Sequence, residues 1–233
     1  MSDICTTNYS KQKIEIVMIQ KSKVAVIGLG NIGAAVATNL VKGNRSVILA
    51  DKTFEKANAL SQKLGSLTHA STIANAVEEA DIIVLAIYFD PIKDFLKTYA
   101  TALEGKIIVD PSNPIAPDEN GGFKKIIGED ESAGQLLSAL VPTGVKLAKA
   151  LGTLGAASLA SASFKTPEKA VAFYATDDSS INAEIEELIR DNGFEPLRIG
   201  ALNQSIRIEV FGDLHEFGAL GKAVTLNEAK HVV

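Results

Sequence analysis

The sequence predicts an α/β fold: a doubly wound, mostly parallel sheet covered by helices, with a small helical addition at its C-terminal end. Short apolar runs rich in valine and isoleucine alternate with segments of helical pattern through most of the chain, which is typical of a parallel sheet with right-handed crossovers. A glycine-rich turn, Gly28-x-Gly30-x-x-Gly33, joins the first apolar run to the first helical segment, and Asp51 ends the second apolar run. Both features are typical of this fold class.

The first half of the chain contains five predicted strands and four predicted helices. The strands are apolar on both faces, as expected where helices cover both sides of a parallel sheet. Pro91 suits the start of a helix, where its missing N–H group is not needed. The predicted strands cover residues 23–28, 46–50, 67–69, 81–87 and 106–110, and the helices cover residues 31–42, 54–64, 71–79 and 91–103.

The second half resumes the same pattern after a loop marked by proline and glycine at residues 115–123. Before the first strand, KIEIVMI (13–19) predicts either an extra edge strand or a tail. Because no linker divides the rest of the sequence, we predict an N-terminal extension (1–20) and one domain (21–233). The expected elements are a helix at 132–140, strands at 145–151 and 170–176, a helix at 180–192, a strand at 195–200, and helical segments from about 201 to 229.

Composition and charge exclude several functional classes. The 233 residues carry a formal net charge of −5 and show no basic cluster, which argues against a nucleic-acid site and a polybasic membrane patch. No apolar run approaches the roughly 18 residues of a transmembrane helix, and the N-terminal residues lack the apolar core of a signal peptide. Cys5 is the single cysteine, so no intrachain disulfide forms. We therefore expect a cytoplasmic protein without nucleic-acid or membrane partners.

The glycine-rich turn predicts a dinucleotide-binding site. The first glycine permits the tight turn, the second lets the backbone approach a pyrophosphate, and the third allows helix and strand to pack closely. The helix that follows offers free N–H groups and the positive end of its dipole to the phosphates. A glycine-rich turn without a ligand is the alternative. The expected contacts are Gly28, Leu29, Gly30, Asn31, Ile32 and Gly33.

The end of the second predicted strand bears on the choice between NAD and NADP. Asp51 lies about 20 positions after the first glycine, where a carboxylate accepts a hydrogen bond from the ribose 2′-hydroxyl of NAD. Lys52 follows and could pair with the 2′-phosphate of NADP. The alternatives are a turn or helix-cap role for Asp51 and a solvated charge for Lys52. The expected cofactor is therefore NADP or NAD.

Two further turns follow predicted strands at the edge of the sheet where ligands of this fold class bind. Ala86, Ile87 and Tyr88 follow the fourth strand, and Asn113 and Pro114 follow the fifth. Prolines fix the backbone of the second turn, and its asparagine offers both a donor and an acceptor. Ordinary strand-to-helix and proline turns are the alternatives. We expect both turns to contact the dinucleotide.

Together these motifs resemble a known family, the NADP-dependent oxidoreductases related to the NADP reductase that uses the deazaflavin coenzyme F420. The resemblance extends from about Lys23 to Gly218 and rests on the order and spacing of several segments. These are VAVIGLGNIG, FEKANAL, ADIIVLAI, GKIIVDPSNPI, VKLAKALGTL, ATDD, LIRDNGF and IGALNQSIRIE. The resemblance implies a Rossmann-type domain and an enzyme that moves hydride between a nicotinamide and a flavin-like or deazaflavin-like acceptor.

The resemblance also implies where the two reactants bind. The turns at 87–88 and 113–114 border the nicotinamide of a dinucleotide held over the glycine-rich turn. The segment 149–153, which includes Leu151 and Gly152, forms a shallow pocket for the flat acceptor together with the C-terminal segment. A homodimer is implied as well, with residues 208–226 as its candidate contact.

Two segments depart from the usual pattern of that family. Asp51-Lys52-Thr53 stands where an arginine-bearing turn is usual, and Leu151-Gly152 stands where phenylalanine and asparagine are usual. The second departure keeps a non-enzymatic, dinucleotide-binding redox sensor as an alternative function. A reductase of the hydroxyacid dehydrogenase or pyrroline-carboxylate reductase type is the other alternative, although such enzymes normally add a large helical domain.

His215 and Lys149 are the candidate catalytic residues. A histidine could protonate a reduced ring or a carbonyl oxygen, and a lysine could act on substrate as in related hydroxyacid dehydrogenases. The alternatives are a polar helix face for His215 and a solvated charge for Lys149. We expect Phe211 and Phe217 to be core or dimer contacts rather than ring-stacking residues. No metal site is expected, because the sequence carries no metal-binding motif.

Overall fold

The computed structural model describes residues 21–233. Within that range eight strands form one sheet, and two short strands pair as a separate antiparallel hairpin. The strands are β1 Val24–Ile27, β2 Val47–Ala50, β3 Thr68–Ser71, β4 Ile82–Leu85, β5 Ile107–Asp110, β6 Ile115–Pro117, β7 Phe123–Lys125, β8 Lys146–Ala150, β9 Val171–Thr176 and β10 Glu195–Gly200. The hairpin consists of β6 and β7.

Eight α-helices and two 3-10 helices lie in the same range of residues. None of them has the length and apolar character that a membrane crossing requires. The α-helices are α1 Asn31–Lys42, α2 Phe54–Leu64, α3 Ile73–Glu79, α4 Phe89–Thr98, α5 Ala133–Ser138, α6 Ala156–Ser161, α7 Asn182–Asp191 and α8 Leu226–Ala229, and the 3-10 helices are Ser179–Ile181 and Leu202–Ile208.

The strand order of the sheet is β3-β2-β1-β4-β5-β8-β9-β10. All neighbouring pairs are parallel except β8 and β9. The chain moves from β1 outward to β3 and then returns to β4, which lies directly beside β1 on its other side. The switch point of the sheet is therefore between β1 and β4, and ligands of such sheets bind beyond the carboxyl ends of the strands there. The predicted doubly wound, mostly parallel Rossmann-type fold is confirmed.

Two apolar cores lie on the two faces of this sheet. Val24 and Val26 of β1 belong to one core together with Leu40 of α1. Ile27 of the same strand belongs to the other core together with Phe89 of α4. Successive side chains of a strand point to opposite faces, so nearly all residues of a strand covered on both sides are apolar. The apolar sequence of β1 follows directly from this burial.

The helices nearest the glycine-rich turn begin and end where the sequence predicts, at residues 31–42 and 54–64. The fourth helix differs, because α4 covers Phe89–Thr98 rather than 91–103. The segment 115–123, predicted as a loop, forms β6 and the start of β7. The carboxylate of Asp118 closes this hairpin by accepting hydrogen bonds from backbone N–H groups of the turn.

Two regions of the second half also differ from the prediction. Helix α6 was not predicted, because its sequence AASLAS has one large apolar residue and therefore no helical periodicity. The predicted C-terminal helices consist of one 3-10 helix and the single-turn helix α8, with turns between them. The predicted strand or tail at 13–19 lies outside the described residues.

Candidate functional site

The glycine-rich turn lies at the switch point, between the ends of β1 and β4. Gly28 has a φ of +88°, and a Cβ atom there would lie 2.5 Å from the carbonyl oxygen of Ala86. A Cβ atom on Gly33 would lie 1.9 Å from the carbonyl oxygen of Gly28. Both distances are far below normal contact, so side chains are excluded at these two positions. The first and third glycines therefore let β1, β4 and α1 approach each other closely.

The second glycine of the turn has a different environment. A Cβ atom on Gly30 would meet no protein atom within 4 Å, and the residue is exposed. No side chain caps α1, and its first turn carries no acidic residue. The positive end of the helix dipole and its N–H groups therefore face open space, which is the arrangement that binds phosphate.

Asp51 connects the glycine-rich turn to the start of α2. Its Oδ2 accepts a hydrogen bond from the backbone N–H of Leu29 at 2.8 Å, and its Oδ1 accepts one from Thr53 at 3.1 Å. Lys56 Nζ lies 3.5 Å from Oδ2. Burial favours the neutral acid, but the two N–H groups and the lysine outweigh it and hold the pKa of Asp51 below its ordinary value. The carboxylate is therefore ionised and braces the turn.

A pocket of about 310 Å³ opens beside this carboxylate. It lies where β2 and β3 end, which is the side of the switch point that receives the adenosine half of a dinucleotide in this fold class. Sequence reasoning found Asp51 and Lys52 of this pocket but missed the rest. Thr72 could have been found, because it follows β3, whereas nothing in the sequence indicates Tyr99. The lining residues are Asp51, Lys52, Phe54, Thr72, Ile73, Ala74 and Tyr99.

The turn after β4 packs against the glycine-rich turn. The side chain of Ile87 and the backbone of Ala86 occupy the space that a Cβ atom on Gly28 would need. Tyr88 precedes α4 as its N-cap residue and is 82% exposed. The structure thus brings two of the three predicted residues of this turn into contact with the glycines, while the tyrosine projects into solvent.

Asn113 joins three separate parts of the chain. Its Nδ2 donates to the carbonyl oxygen of Gly152 at 3.1 Å, and its Oδ1 accepts a hydrogen bond from the backbone N–H of Val210 at 2.7 Å. A Cβ atom on Gly152 would lie 2.4 Å from the carbonyl oxygen of Pro111, so the turns after β5 and β8 are in direct contact. The donor and acceptor that the sequence offers at Asn113 are both used to hold these turns together.

His215 belongs to the same group of contacts. Its Nε2 lies 3.0 Å from the carbonyl oxygen of Gly152, and its Nδ1 accepts a hydrogen bond from the N–H of Phe217. A carbonyl oxygen only accepts, so the proton of the neutral ring is on Nε2. Burial lowers the pKa of His215 below its ordinary value of 6.5, and the hydrogen bond to Gly152 opposes this only in part. The ring is therefore a neutral, buried connector.

Lys149 lies in the sheet rather than on the surface. Its side chain is 3% exposed, and its Nζ lies 2.8 Å from Oδ2 of Asp110, whose side chain is 0% exposed. The alternative of a solvated charge is therefore wrong, because β8 neighbours β5 and places this ammonium group beside the carboxylate that ends β5. The ammonium group is engaged by the carboxylate of Asp110 and by the carbonyl oxygen of Ser112.

Sequence reasoning missed the role of two glutamates in the C-terminal segment. The buried carboxylate of Glu209 accepts hydrogen bonds from the N–H groups of Ala133 and Gly134 at the start of α5. Glu216 likewise accepts one from Gly155, at the start of α6. Segment 209–217 is thereby fastened to the starts of α5 and α6. Acidic side chains favour helix N-termini, but which helix they reach depends on the tertiary fold.

The two phenylalanines of this segment are not core residues. Phe211 is 52% exposed and Phe217 is 62% exposed, because the tight turns around them leave their rings outside the packed interior. The predicted core role is therefore wrong for both, while their predicted role in a dimer stays a prediction. Among residues 21–233, no cluster of three or more histidine, cysteine, aspartate or glutamate side chains is suited to hold a metal ion.

All of the predicted site residues except Tyr88 and Pro114 fall into two groups along one edge of the sheet. The first, which we call the glycine-loop group, comprises Gly28, Leu29, Gly30, Asn31, Ile32, Gly33, Asp51, Lys52, Ala86 and Ile87. The second, the β5–β8 group, comprises Asn113, Lys149, Leu151, Gly152 and His215. The strand order β1-β4-β5-β8 places the second group next along the edge after the first.

The first half of the chain matches a family of known proteins. The family described as NADP oxidoreductase, coenzyme F420-dependent, matches residues 23–114, which contain the whole glycine-loop group. The crystal structure of protein SMa0349 from Sinorhizobium meliloti is 30% identical, with a TM-score of 0.74, and the match covers 88% of this chain and 95% of that one.

Two curated proteins are similar over shorter shares of their length. The metalloreductase STEAP3 of Rattus norvegicus is 26% identical over 80% of this chain and 36% of its own. The F420-dependent NADP reductase of Methanothermobacter marburgensis is 26% identical over 59% of this chain and 66% of its own. The chain therefore spans less than two thirds of the length of these two curated relatives.

Proposed function

Because the chain belongs to the family of NADP oxidoreductases related to the coenzyme F420-dependent enzymes, we propose that it transfers hydride between NADP and a flat, flavin-like or deazaflavin-like acceptor. The observation that carries the proposal is the environment of Gly30. Open space lies at that position, between two glycines whose neighbours exclude any side chain. A pyrophosphate binds where a tightly packed turn leaves its backbone accessible on one side. The residues of this turn therefore fit the dinucleotide.

The backbone of the glycine-loop group holds the pyrophosphate in this proposal. The uncapped N-terminus of α1 supplies N–H donors and a positive dipole end, and no acidic residue in its first turn opposes a phosphate. Asp51 fixes the turn from behind through the N–H of Leu29. The dinucleotide itself, when bound, supplies the hydride.

NADP is the proposed dinucleotide because the charge of Asp51 is largely compensated. Both of its oxygens accept hydrogen bonds from backbone N–H groups, and Lys56 lies beside it. Lys52 is exposed on the wall of the same pocket, where an ammonium group attracts a 2′-phosphate. Phe54 supplies an apolar surface there for the adenine ring.

The β5–β8 group orients the reactants and needs no acid or base in this proposal. Hydride transfer between two rings depends on their distance and alignment. The turns that border the nicotinamide, at 87–88 and 113–114, are held by packing on Gly28 and by the amide of Asn113. The neutral ring of His215 has both nitrogens engaged, so it supports the turn and does not exchange protons with substrate.

We further propose that the protein works as a cytoplasmic homodimer on a small-molecule acceptor. The exposed rings of Phe211 and Phe217 lie within the segment 208–226, and burying such rings against a second copy is favourable. The resemblance of the chain to its family supports this assembly. Sedimentation of the purified protein across a range of concentrations tests it, and a monomer at all concentrations would remove the proposal.

Equilibrium titration with NADPH and with NADH tests the proposed cofactor. The Asp51→Ser variant removes a negative charge beside the pocket, so we expect the preference for NADPH over NADH to rise by about tenfold, or about 1.4 kcal/mol. Serine also loses the hydrogen bond to the N–H of Leu29. That loss weakens the binding of both dinucleotides equally and leaves the ratio of their dissociation constants unaffected. Asp178→Ser is the matched control, because the carboxylate of Asp178 accepts a similar hydrogen bond from the backbone N–H of Ser180. Asp178 follows β9, which runs antiparallel to β8, so it lies at the other end of the strands.

Mixing the reduced, bound dinucleotide with a flavin then tests the chemistry. Oxidation of NADPH at a rate that depends on flavin concentration supports the hydride platform. Tight binding without oxidation by flavin or deazaflavin supports the second candidate, a dinucleotide-binding sensor. That candidate is also favoured by Leu151 and Gly152, which stand where the family usually has phenylalanine and asparagine. Failure to bind either dinucleotide would contradict both proposals.

A further inference from the structure

A buried ion pair at the carboxyl end of the sheet, formed by Asp110 and Lys149, has been given no individual role in the proposed function. Asp110 ends β5 and Lys149 lies opposite it in β8, and the two side chains are 0% and 3% exposed. We infer that Asp110 and Lys149 are positioning residues that set the rate of hydride transfer by holding the turn at Ser112 and Asn113. This inference rests on the proposed oxidoreductase function.

The ion pair forms hydrogen bonds with both backbone polar groups of Ser112, its N–H and its carbonyl oxygen. Oδ1 of Asp110 accepts a hydrogen bond from the backbone N–H of Ser112 at 2.7 Å. Nζ of Lys149 donates to the carbonyl oxygen of the same serine and to Oδ2 of Asp110. The backbone donor and the backbone acceptor of Ser112 are therefore both bound to the ion pair. No rotation of this residue is possible without breaking a hydrogen bond to a buried charge.

Because Ser112 is held in place, the next residue, Asn113, is held as well, and its hydrogen bonds connect three segments of the chain. Asn113 donates to the carbonyl oxygen of Gly152 and accepts from the N–H of Val210. His215 donates to the same carbonyl oxygen. The ion pair therefore fixes the positions of three segments: the turn after β5, the turn after β8 and the C-terminal segment.

Stability alone does not explain a charged pair at this place. The neighbours of the pair along β5 and β8 are apolar, such as Val109, Ala148 and Ala150. Replacing a buried ion pair with apolar residues of similar volume is often neutral or stabilising, whereas removing one partner is strongly destabilising. An apolar pair would complete the sheet equally well. It would not hold the two polar groups of Ser112, and that is the feature the charges add.

The test compares an apolar replacement of the pair with a matched replacement elsewhere. The double variant Asp110→Leu, Lys149→Met removes the grip on Ser112 and leaves no buried charge unpaired. The control is Arg45→Met, Asp191→Leu, which removes a second part-buried pair, with its nitrogen and oxygen 2.7 Å apart, that tethers α7 to the chain around Arg45. Thermal unfolding, amide hydrogen exchange without cofactor, NADPH affinity, and kcat and KM with a flavin are measured for both variants.

We expect the Asp110→Leu, Lys149→Met variant to fold but to unfold at a lower temperature than the unaltered protein, because the N–H and carbonyl groups of Ser112 lose their partners. Its affinity for NADPH should be nearly unchanged. Its kcat should fall by about 100-fold, because a displacement of about 1 Å in a reacting pair costs that much. Peptides covering 112–116 and 151–155 should exchange faster, whereas the control variant should change neither exchange there nor kcat. An unchanged kcat in a well-folded Asp110→Leu, Lys149→Met variant would overturn the inference.

A second variant covers the case in which the apolar pair does not fold. Asp110→Asn, Lys149→Gln is uncharged but can remake the hydrogen bonds to Ser112, so we expect its kcat to fall by much less than about 100-fold relative to the unaltered protein. A fall of about 100-fold or more in this variant would count against the role of the hydrogen bonds to Ser112. If the unaltered protein shows no turnover with flavin or deazaflavin, the proposed function fails. Hydrogen exchange at 112–116 still decides whether the pair positions the turn.

Discussion

Replacing Gly30 with alanine should separate binding from stability. Gly30 has a φ of −67° and a ψ of −164°, an extended conformation that alanine also adopts, and an added Cβ meets no atom within 4 Å. Alanine restricts the unfolded chain, so the free energy of unfolding should rise by about 0.4–1 kcal/mol. For a chain of this length the melting temperature should then rise by about 1–4 °C.

The same methyl group should weaken the binding of NADPH. It occupies the space through which a pyrophosphate reaches the N–H groups of the turn, which is the reason that this fold class places a glycine there. We expect the dissociation constant to rise by at least about tenfold, which corresponds to about 1.4 kcal/mol. Calorimetric titration measures the affinity, and thermal unfolding without cofactor measures the stability of the same sample.

Gly33→Ala is the opposite arm of this experiment. Its Cβ atom would lie 1.9 Å from the carbonyl oxygen of Gly28, so the helix and strand must move apart. The expected cost is about 1–3 kcal/mol of stability, before any effect on binding. A Gly30→Ala variant that binds NADPH as tightly as the unaltered protein would show that no pyrophosphate passes over this residue, and it would refute the proposed site.

Two further predictions concern the C-terminal segment. The pKa of His215 is lowered by burial from its ordinary value of 6.5, so the unfolded chain takes up a proton first as the pH falls, and stability decreases from pH 6.5 downward until the folded pKa is reached. The melting temperature should therefore fall less between pH 7.5 and pH 5.5 in His215→Asn than in the unaltered protein. Glu209→Gln should lower stability by about 2 kcal/mol, because hydrogen bonds to a buried carboxylate contribute about 1.5–3 kcal/mol. An unchanged melting temperature in Glu209→Gln would contradict the proposed fastening of the segment to α5.

The first half of the fold was predictable because its signals are local. Helices α1 and α2 each follow a buried apolar strand and a turn, and each ends at a glycine, Gly43 and Gly65. The elements that were missed lack such signals. Helix α6 has one large apolar side chain, and the hairpin of β6 and β7 depends on the carboxylate of Asp118. Helix α6 therefore shows no periodicity. The hairpin carries the turn dipeptide Asn120-Gly121, but its strands of three residues each are too short for an alternating pattern.

The candidate site shows the same limit at the level of single residues. The glycine-loop group was predictable, because the spacing of its glycines reflects contacts within one strand-turn-helix unit. The contacts of Asn113 with Gly152 and Val210 join residues far apart in sequence. The burial of Lys149 follows from the pairing of β8 with β5 across a helix and a hairpin, and no local pattern distinguishes it from a surface lysine. Both depend on topology, which sequence spacing does not encode.

The contacts of the two groups explain how one sheet edge can both bind a dinucleotide and control the distance to its acceptor. The glycine-loop group presents backbone and empty space, so its affinity depends on what is absent at Gly30. The β5–β8 group presents the reverse, because its polar side chains are already engaged. Lys149 pairs with Asp110, while the amide of Asn113 and the neutral ring of His215 bind backbone groups. Groups engaged in this way cannot reorganise when substrate arrives, and such preorganisation is what a reaction between two flat rings requires from a protein. Substitutions in the first group should therefore change binding, and substitutions in the second should change the rate at saturation.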